Sequence, residues 1–88
     1  MIAWQKQETA YVGKVQLADG HWCKVVLVGA RTNPQGAMVV VAGKGGEAVK
    51  PRPFADCVAA FTPDTVMEVY CTQERAFGDR GLEPPDLP

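Results

Sequence analysis

The stretch of sequence that decides the fold is residues 11–28, YVGKVQLADGHWCKVVLV. It predicts a β-hairpin with a tight turn at Asp19 and Gly20, because Asp-Gly between alternating apolar runs favours a type I′ turn with positive φ at both central residues. The first arm alternates, with Tyr11, Gly13, Val15 and Leu17 on one face and Val12, Lys14 and Gln16 on the other. The second arm, residues 22–28, is more continuously apolar, which favours a central strand covered on both faces.

Residues 1–10 place Trp4 among polar side chains. They predict a short lead-in or an edge strand that continues into Tyr11, with Trp4 covering one end of the core. The alternative is an exposed Trp4 at an interface, because tryptophan is enriched among the residues that dominate binding energy.

Residues that favour turns then separate the predicted strands. Residues 29–36 contain Asn-Pro and Gly, which predict a long exposed loop. The β-branched run over 37–42 predicts a third, central strand, and the glycines of 43–46 predict a turn. A short fourth strand is predicted over 47–50. Residues 50–53 alternate with proline, so this segment belongs at a sheet edge or outside the sheet.

Two segments near the C-terminus are ambiguous. Over 54–61 the apolar residues recur at i, i+3, i+4 and i+7, which predicts a short helix or 3₁₀ turn across one end of the sheet. Thr62-Pro63 suits either a turn before a strand over 66–71 or the N-cap of a helix. The β-branched and aromatic content of residues 65–72 favours the strand. The helix would place Val66, Tyr70, Gln73 and Phe77 on one face and end before Gly78.

The elements together predict a mainly β single domain over residues 1–77. We expect about five antiparallel strands curled into an SH3-like or partly open barrel, with a helical turn over 54–61. The alternative is an α+β fold with a C-terminal helix over 63–77. The rhythm of short strands, the long loop after the second strand and the helical turn before the last resemble SH3-like barrels. Residues 78–88 predict an irregular, acidic and Pro-rich tail.

Composition and charge limit the classes of function that the chain can have. An apolar fraction of 47% and a charged fraction of 22% are typical of a globular domain. The net charge of −1 is unevenly distributed. Residues 1–50 contain six bases and three acids, whereas residues 51–88 contain three bases and seven acids. A basic binding face with an acidic tail is one interpretation. The other, which we favour, is that the two charged halves attract each other within or between subunits.

The three cysteines, Cys23, Cys57 and Cys71, predict reduced thiols in a cytoplasmic protein, since no apolar signal segment opens the chain. With His21 they have the composition of a zinc site but not its C-x₂-C spacing, so we expect core cysteines and no metal. His21 is most simply a solvated turn residue. The glycines around Lys44 lack the P-loop pattern, and no cofactor or membrane segment is expected.

A binding surface is suggested by aromatic residues with bases nearby, the combination with which small barrels stack bases and hold a phosphate backbone. Lys14 and Lys24 are predicted on neighbouring strands of one face, whereas Trp22 suits the core equally well. The candidate binding residues are Tyr11, Lys14, His21, Trp22, Lys24 and Arg31.

Three functions fit this pattern. The first is a non-catalytic protein-interaction module that self-associates or binds another protein, such as an accessory protein of a mobile element, through an edge strand or an aromatic surface. The second is a nucleic-acid-binding or regulatory small barrel. The third is a small-molecule binder or an enzyme whose site lies at a subunit interface, where each subunit would contribute its own His21.

Overall fold

The computed structural model describes residues 1–40 and 50–78. The predicted turn over 43–46, and all of the predicted fourth strand and C-terminal tail except Lys50 and Gly78, lie outside the described residues. The chain forms a five-stranded antiparallel sheet in the order β1-β2-β3-β4-β5, followed by helices. The elements are β1 (Trp4–Gln7), β2 (Ala10–Gln16), β3 (Trp22–Leu27), β4 (Met38–Val40), β5 (Arg52–Pro53), a 3₁₀ helix (Phe54–Ala60) and α1 (Pro63–Phe77).

The sheet is open. In the part of the chain that the structure describes, β1 and β5 form its two edges and do not pair with each other. The predicted antiparallel sheet of about five strands is therefore present, and of the predicted SH3-like or partly open barrel the described strands form an open sheet. Its strands also differ from those predicted, because residues 66–71 are helical and Arg52–Pro53 forms an edge strand.

The central hairpin is confirmed, with residues 11–16 of β2 paired with all of β3. Its turn is not the predicted type I′. Gly20 has φ 96°, but Asp19 does not have a positive φ. The amide of Gly20 donates to the Leu17 carbonyl at 3.0 Å, and the amide of Leu17 donates to the His21 carbonyl at 2.7 Å. This is a three-residue connection with a left-handed glycine at its end, which needs positive φ only once.

The N-terminal segment turns back on itself instead of continuing into Tyr11. β1 pairs antiparallel with β2, with Gln7 opposite Ala10, so Glu8 and Thr9 make the connection. Glu8 has φ 56°, the single positive value for a non-glycine among the described residues. Reversing the chain places Trp4 opposite Gly13. Trp4 packs against the core, as predicted, across the side of β2.

The strand β3 is central, as predicted, but it is not covered on both faces. Cys23, Val25 and Leu27 are buried, whereas Trp22 and Lys24 are exposed. The alternation therefore has the period of a half-buried strand. The apolar run misled the prediction because Trp22 and Val26 belong to the face that no described helix covers.

The segment after Thr62 is an α-helix, so the strand favoured over 66–71 is wrong and the alternative is correct. The Thr62 side chain accepts a hydrogen bond from the Thr65 amide, Pro63 opens the helix, and Gly78 ends it with φ 72°. These are the capping residues that helices prefer at these positions. Burial of the face made by Val66, Val69, Tyr70 and Gln73 outweighs β-propensity.

The core lies between one face of the sheet and the two helices. Phe54, from the 3₁₀ helix, stacks with its ring centroid 5.1 Å from Phe61 and 5.4 Å from Tyr70. Such offset and edge-on aromatic pairs contribute about 0.5–1.5 kcal/mol each beyond area burial. The buried apolar residues are Val15, Cys23, Val25, Leu27, Ala37, Val39, Phe54, Phe61, Val66, Val69 and Tyr70.

Three further predictions, for residues 54–61, for Pro53 and for residues 29–36, are confirmed. The 3₁₀ helix covers Phe54–Ala60, within the predicted 54–61. Pro53 belongs to the edge strand β5, where the missing amide proton of proline is tolerated. Residues 29–36 form the predicted connection between β3 and β4. No helix within residues 1–40 and 50–78 has the length and apolarity needed to cross a bilayer.

Candidate interaction surface

The face of the sheet opposite the helices, which we call the open face, is the main candidate surface. Neither helix packs on it, and its side chains are not part of the core cluster. Cross-strand partners point to the same side of a sheet, so the register assigns its members. From β1 to β4 they are Gln5, Gln7, Ala10, Val12, Lys14, Gln16, Trp22, Lys24, Val26, Met38 and Val40.

An apolar row crosses the middle of the open face. Val12 lies opposite Val26, and Val26 lies opposite Met38 on the next strand. All three are half-buried, although no described element lies over them. Val40 extends the apolar surface beside Lys24. The row is contiguous across three strands, and contiguous apolar surface is a common feature of interaction sites.

A basic and aromatic row lies beside the apolar one. Lys14 and Lys24 are directly opposite each other on β2 and β3, as predicted, and both are exposed. Trp22 is 53% exposed, so the interpretation of Trp22 as a core residue is wrong. The Lys14 Nζ atom lies 5.4 Å from the Trp22 ring centroid, within the range of a cation–π contact.

Among the described strand residues of the open face, no carboxylate offsets these lysines. The strand residues on this side, from β1 to β4, include neither Asp nor Glu. Two like charges directly opposite each other destabilise a sheet. The open face is therefore a locally positive surface on a chain whose net charge is −1.

The other predicted site residues are not gathered here. Tyr11 belongs to the helix-covered face, where its ring packs edge-on against Phe77 at 5.9 Å and Lys6 Nζ lies 6.0 Å from it. Arg31 is exposed in the connection that follows β3. The structure therefore brings together Lys14, Trp22 and Lys24 and leaves Tyr11 and Arg31 apart from them.

His21 lies at the hairpin turn, as predicted for a solvated residue. Its side chain is 80% exposed, and its Nδ1 is 3.0 Å from Asp19 Oδ1. The same carboxylate oxygen accepts the His21 backbone amide at 2.9 Å. The His21 backbone hydrogen bond, and then its side-chain hydrogen bond, lower the pKa of Asp19. This local contact between Asp19 and His21 closes the turn.

The cysteines occupy three environments. Cys23 is buried, Cys57 is half-buried and Cys71 is exposed on α1, so the prediction of core cysteines fails for Cys71. Burial, and then the nearby Cys57 thiol, raise the pKa of Cys23. A thiol in these surroundings is inert. Within residues 1–40 and 50–78, no three His, Cys, Asp or Glu side chains are placed to hold a metal ion.

A small cavity of about 150 Å³ lies on the helix-covered side, where the 3₁₀ helix meets the sheet. Its walls are mainly apolar, and two bases also line it. The lining residues are Leu17, Val39, Lys50, Arg52, Cys57, Ala60 and Phe61.

The solvent side of α1 is a second surface that the sequence analysis did not single out. Residues 64, 67, 71 and 74 recur at the helical period and are all exposed, with Met67 49% exposed. We call these residues, Asp64, Met67, Cys71 and Glu74, the helix stripe. It carries two carboxylates around an exposed methionine, with Arg75 beside them. These residues are spaced at the 3.6-residue period of a helix, a spacing that places them on one side only because the segment is helical and not a strand.

Comparison of the chain with protein-family models, with curated proteins and with solved structures gives no match.

Proposed function

We propose that the protein is a non-catalytic protein-interaction module that self-associates through the open face of its sheet. The observation that carries this proposal is Trp22, which is 53% exposed on the same face as a contiguous row of valine and methionine side chains, with the Lys14–Lys24 pair between them. Tryptophan is enriched among the residues that dominate binding energy at interfaces. A domain of 88 residues buries roughly 60–65% of the surface that its unfolded chain exposes, less than a larger domain does, so covering this face with a partner adds stability.

The open face is a better candidate than the edge strands. The edge strand β1 is four residues long and carries Lys6 among exposed glutamines. Short edges with lysine are a common means of preventing pairing with another chain. The other aromatic candidates, Trp4 and Tyr11, are partly buried against the core and offer less surface. Trp22 has no such packing on its own side of the sheet.

Sedimentation velocity over a wide range of concentration tests this proposal. We expect the wild-type protein to show concentration-dependent association and Val26→Lys to abolish it, because Val26 is the middle of the apolar row. Ala59→Lys adds the same charge to an exposed position of the 3₁₀ helix and serves as the matched control. A wild-type protein that stays monomeric throughout, or equal effects of the two substitutions, would contradict the proposal.

A second candidate function is single-stranded nucleic-acid binding, which is favoured by the placement of Trp22 next to the Lys14–Lys24 pair on one face. Exposed aromatic rings stack bases, and lysines neutralise phosphates. Fluorescence anisotropy with a labelled oligothymidylate tests it. We expect binding to weaken as salt is added and to be lost in Lys14→Glu/Lys24→Glu. Binding that is independent of salt would contradict the electrostatic basis of this function.

A further inference from the structure

We infer that the cavity between the 3₁₀ helix and the sheet binds a small organic carboxylate whose apolar part is the size of a benzene ring. This inference goes beyond the proposed self-association, because the cavity lies on the helix-covered side of the sheet and not on the open face. It is carried by two bases, Lys50 and Arg52, which line a single, mainly apolar cavity.

The wall of the cavity that the 3₁₀ helix forms is held in place by backbone hydrogen bonds. The amide of Phe54 donates to the Ala37 carbonyl at 2.8 Å, and the amide of Ala18 donates to the Ala60 carbonyl at 2.8 Å. These hydrogen bonds tie the helix to the rest of the domain at both of its ends. Ligand sites in proteins are usually pre-formed spaces of this kind.

The cavity is apolar at its base and basic at its rim. Val39 and Phe61 are buried, whereas Lys50 and Arg52 are exposed. Arg52 lies directly opposite Val39 on the neighbouring strand, so both side chains leave the sheet on the helix-covered side. A ligand that suits this arrangement has an apolar body and one polar end.

The charge of the rim selects an anion. Neither Asp nor Glu lines the cavity, and no described carboxylate forms an ion pair with Lys50 or Arg52. Asp56, the acid of the 3₁₀ helix, is exposed and is not a lining residue. A cleft lined by charges of one sign concentrates counter-ions of the other sign. The bases therefore favour a negative charge at the polar end of the ligand.

The size and the head group of the ligand follow from the same residues. The volume of about 150 Å³ accommodates a six-carbon ring, which is what apolar cavities of this volume bind. The guanidinium of Arg52 matches the geometry of a carboxylate, to which it can donate two parallel hydrogen bonds, and the Lys50 ammonium adds a second positive charge. A phosphate carries more negative charge, which is costly to place against mainly apolar walls.

Benzoate is the probe that tests the inference, with benzamide as its uncharged counterpart and acetate as the head group alone. Titration followed by two-dimensional ¹H–¹⁵N NMR should show saturable shifts of the amide signals of the lining residues. We expect the dissociation constant of benzoate to be about fivefold lower, or more, than that of benzamide, because only benzoate pairs with the bases. Acetate should bind more weakly than benzoate, because it lacks the apolar body.

Variants separate the bases from the apolar walls. Lys50→Gln/Arg52→Gln should raise the dissociation constant of benzoate about fivefold or more and leave that of benzamide unchanged. Lys6→Gln/Arg31→Gln is the matched control, since it removes one lysine and one arginine from exposed positions that do not line the cavity. Ala60→Leu fills part of the cavity from an exposed position and should weaken the binding of both ligands. Circular dichroism of every variant verifies the fold.

The thiol of Cys57 provides a second readout, because this residue lines the cavity and is half-buried. Saturating benzoate should slow the alkylation of Cys57 by iodoacetamide. The alkylation of Cys71, which is exposed on α1, should not change. Equal effects of benzoate on the two thiols would count against binding in the cavity.

The outcomes distinguish this inference from the proposed function. Val26→Lys changes the open face alone and should bind benzoate as the wild type does, whether or not the wild type self-associates. The inference is overturned if benzoate gives no saturable shift of the lining residues, if benzamide or acetate binds as tightly, or if the two double glutamine variants behave alike. A preference for benzoate over benzamide that is lost in Lys50→Gln/Arg52→Gln supports it.

Discussion

The indole of Trp4 lies directly over Gly13, its cross-strand partner. A Cβ atom on Gly13 would be 2.6 Å from Trp4 Cε3 and 2.7 Å from Ile2 Cγ2. Carbon atoms pack at about 3.5–4.0 Å, so a side chain at this position cannot coexist with the indole as it is placed. The absence of a side chain at Gly13 is what allows the first strand to fold its tryptophan against the core.

We therefore expect Gly13→Ala to destabilise the protein by about 1–3 kcal/mol, the usual cost of overpacking. Urea denaturation measures the change in the free energy of unfolding. A double-mutant cycle with Trp4→Ala provides the control, because removing the indole removes two of the three closest contacts and leaves that of Ile2 Cγ2. If Gly13→Ala costs as much in the Trp4→Ala background as in the wild type, the contact between these residues is not the cause.

Replacing Gln73 should also destabilise the fold. Its side chain is fully buried, and its Nε2 donates to the Val28 carbonyl at 2.8 Å, which ties α1 to the end of β3. Gln73→Met keeps the length of the side chain but removes the donor, at an expected cost of about 1–3 kcal/mol. Gln16→Met is the matched control, since Gln16 is exposed and donates to Gly20 in the turn. Thermal unfolding should separate the two, and equal effects would contradict this role for Gln73.

The N-cap of α1 offers a third test. Thr62 Oγ1 accepts the Thr65 amide at 3.3 Å and donates to Thr65 Oγ1 at 2.9 Å. Thr62→Ala should cost about 1 kcal/mol in urea denaturation, whereas Thr62→Asp should retain most of the wild-type stability, because a carboxylate also caps the helix. Equal losses in both variants would show that the hydroxyl acts through something other than capping.

Thiol reactivity should follow the burial of the three cysteines. We expect the exposed Cys71 to react with a disulfide reagent in the folded protein and Cys23 to react only on unfolding. Mass spectrometry of labelled peptides assigns the thiols, and Cys71→Ser should remove the fast phase. Rapid labelling of Cys23 in the native protein would show that the core opens readily.

The raised pKa of Cys23 also has a consequence for stability. Burial disfavours the thiolate in the folded state, so the unfolded state loses its proton first as the pH rises. This contribution to stability is fully present below about pH 9, the ordinary pKa of the thiol, and is lost as the pH rises from there through the higher pKa of the folded state. Cys23→Val should reduce the slope of the unfolding free energy against pH in that range. An unchanged slope would contradict this assignment.

Much of the fold could be predicted because local signals agreed with tertiary packing. The alternation over residues 11–17 placed Val15 in the core and Lys14 outside it, and the register then placed Lys14 beside Lys24. The residues over 62–77 were harder. Their β-branched composition and their capping residues predicted different structures, and the outcome depended on burial of Val69 and Tyr70 against the sheet, which no local pattern reveals.

The sequence by itself determined the central hairpin, the 3₁₀ segment and the exposure of Lys14 and His21, because turn residues and a period of two act over a few neighbouring positions. Only the tertiary structure decided that Trp22 faces away from the core, that Trp4 folds back over Gly13, and that Asp64 and Glu74 lie on the exposed side of α1. Apolar side chains gain free energy from burial on either face of a strand, so which face is covered depends on where the helices pack. That placement is a property of the whole chain, and it separates the open face from the core.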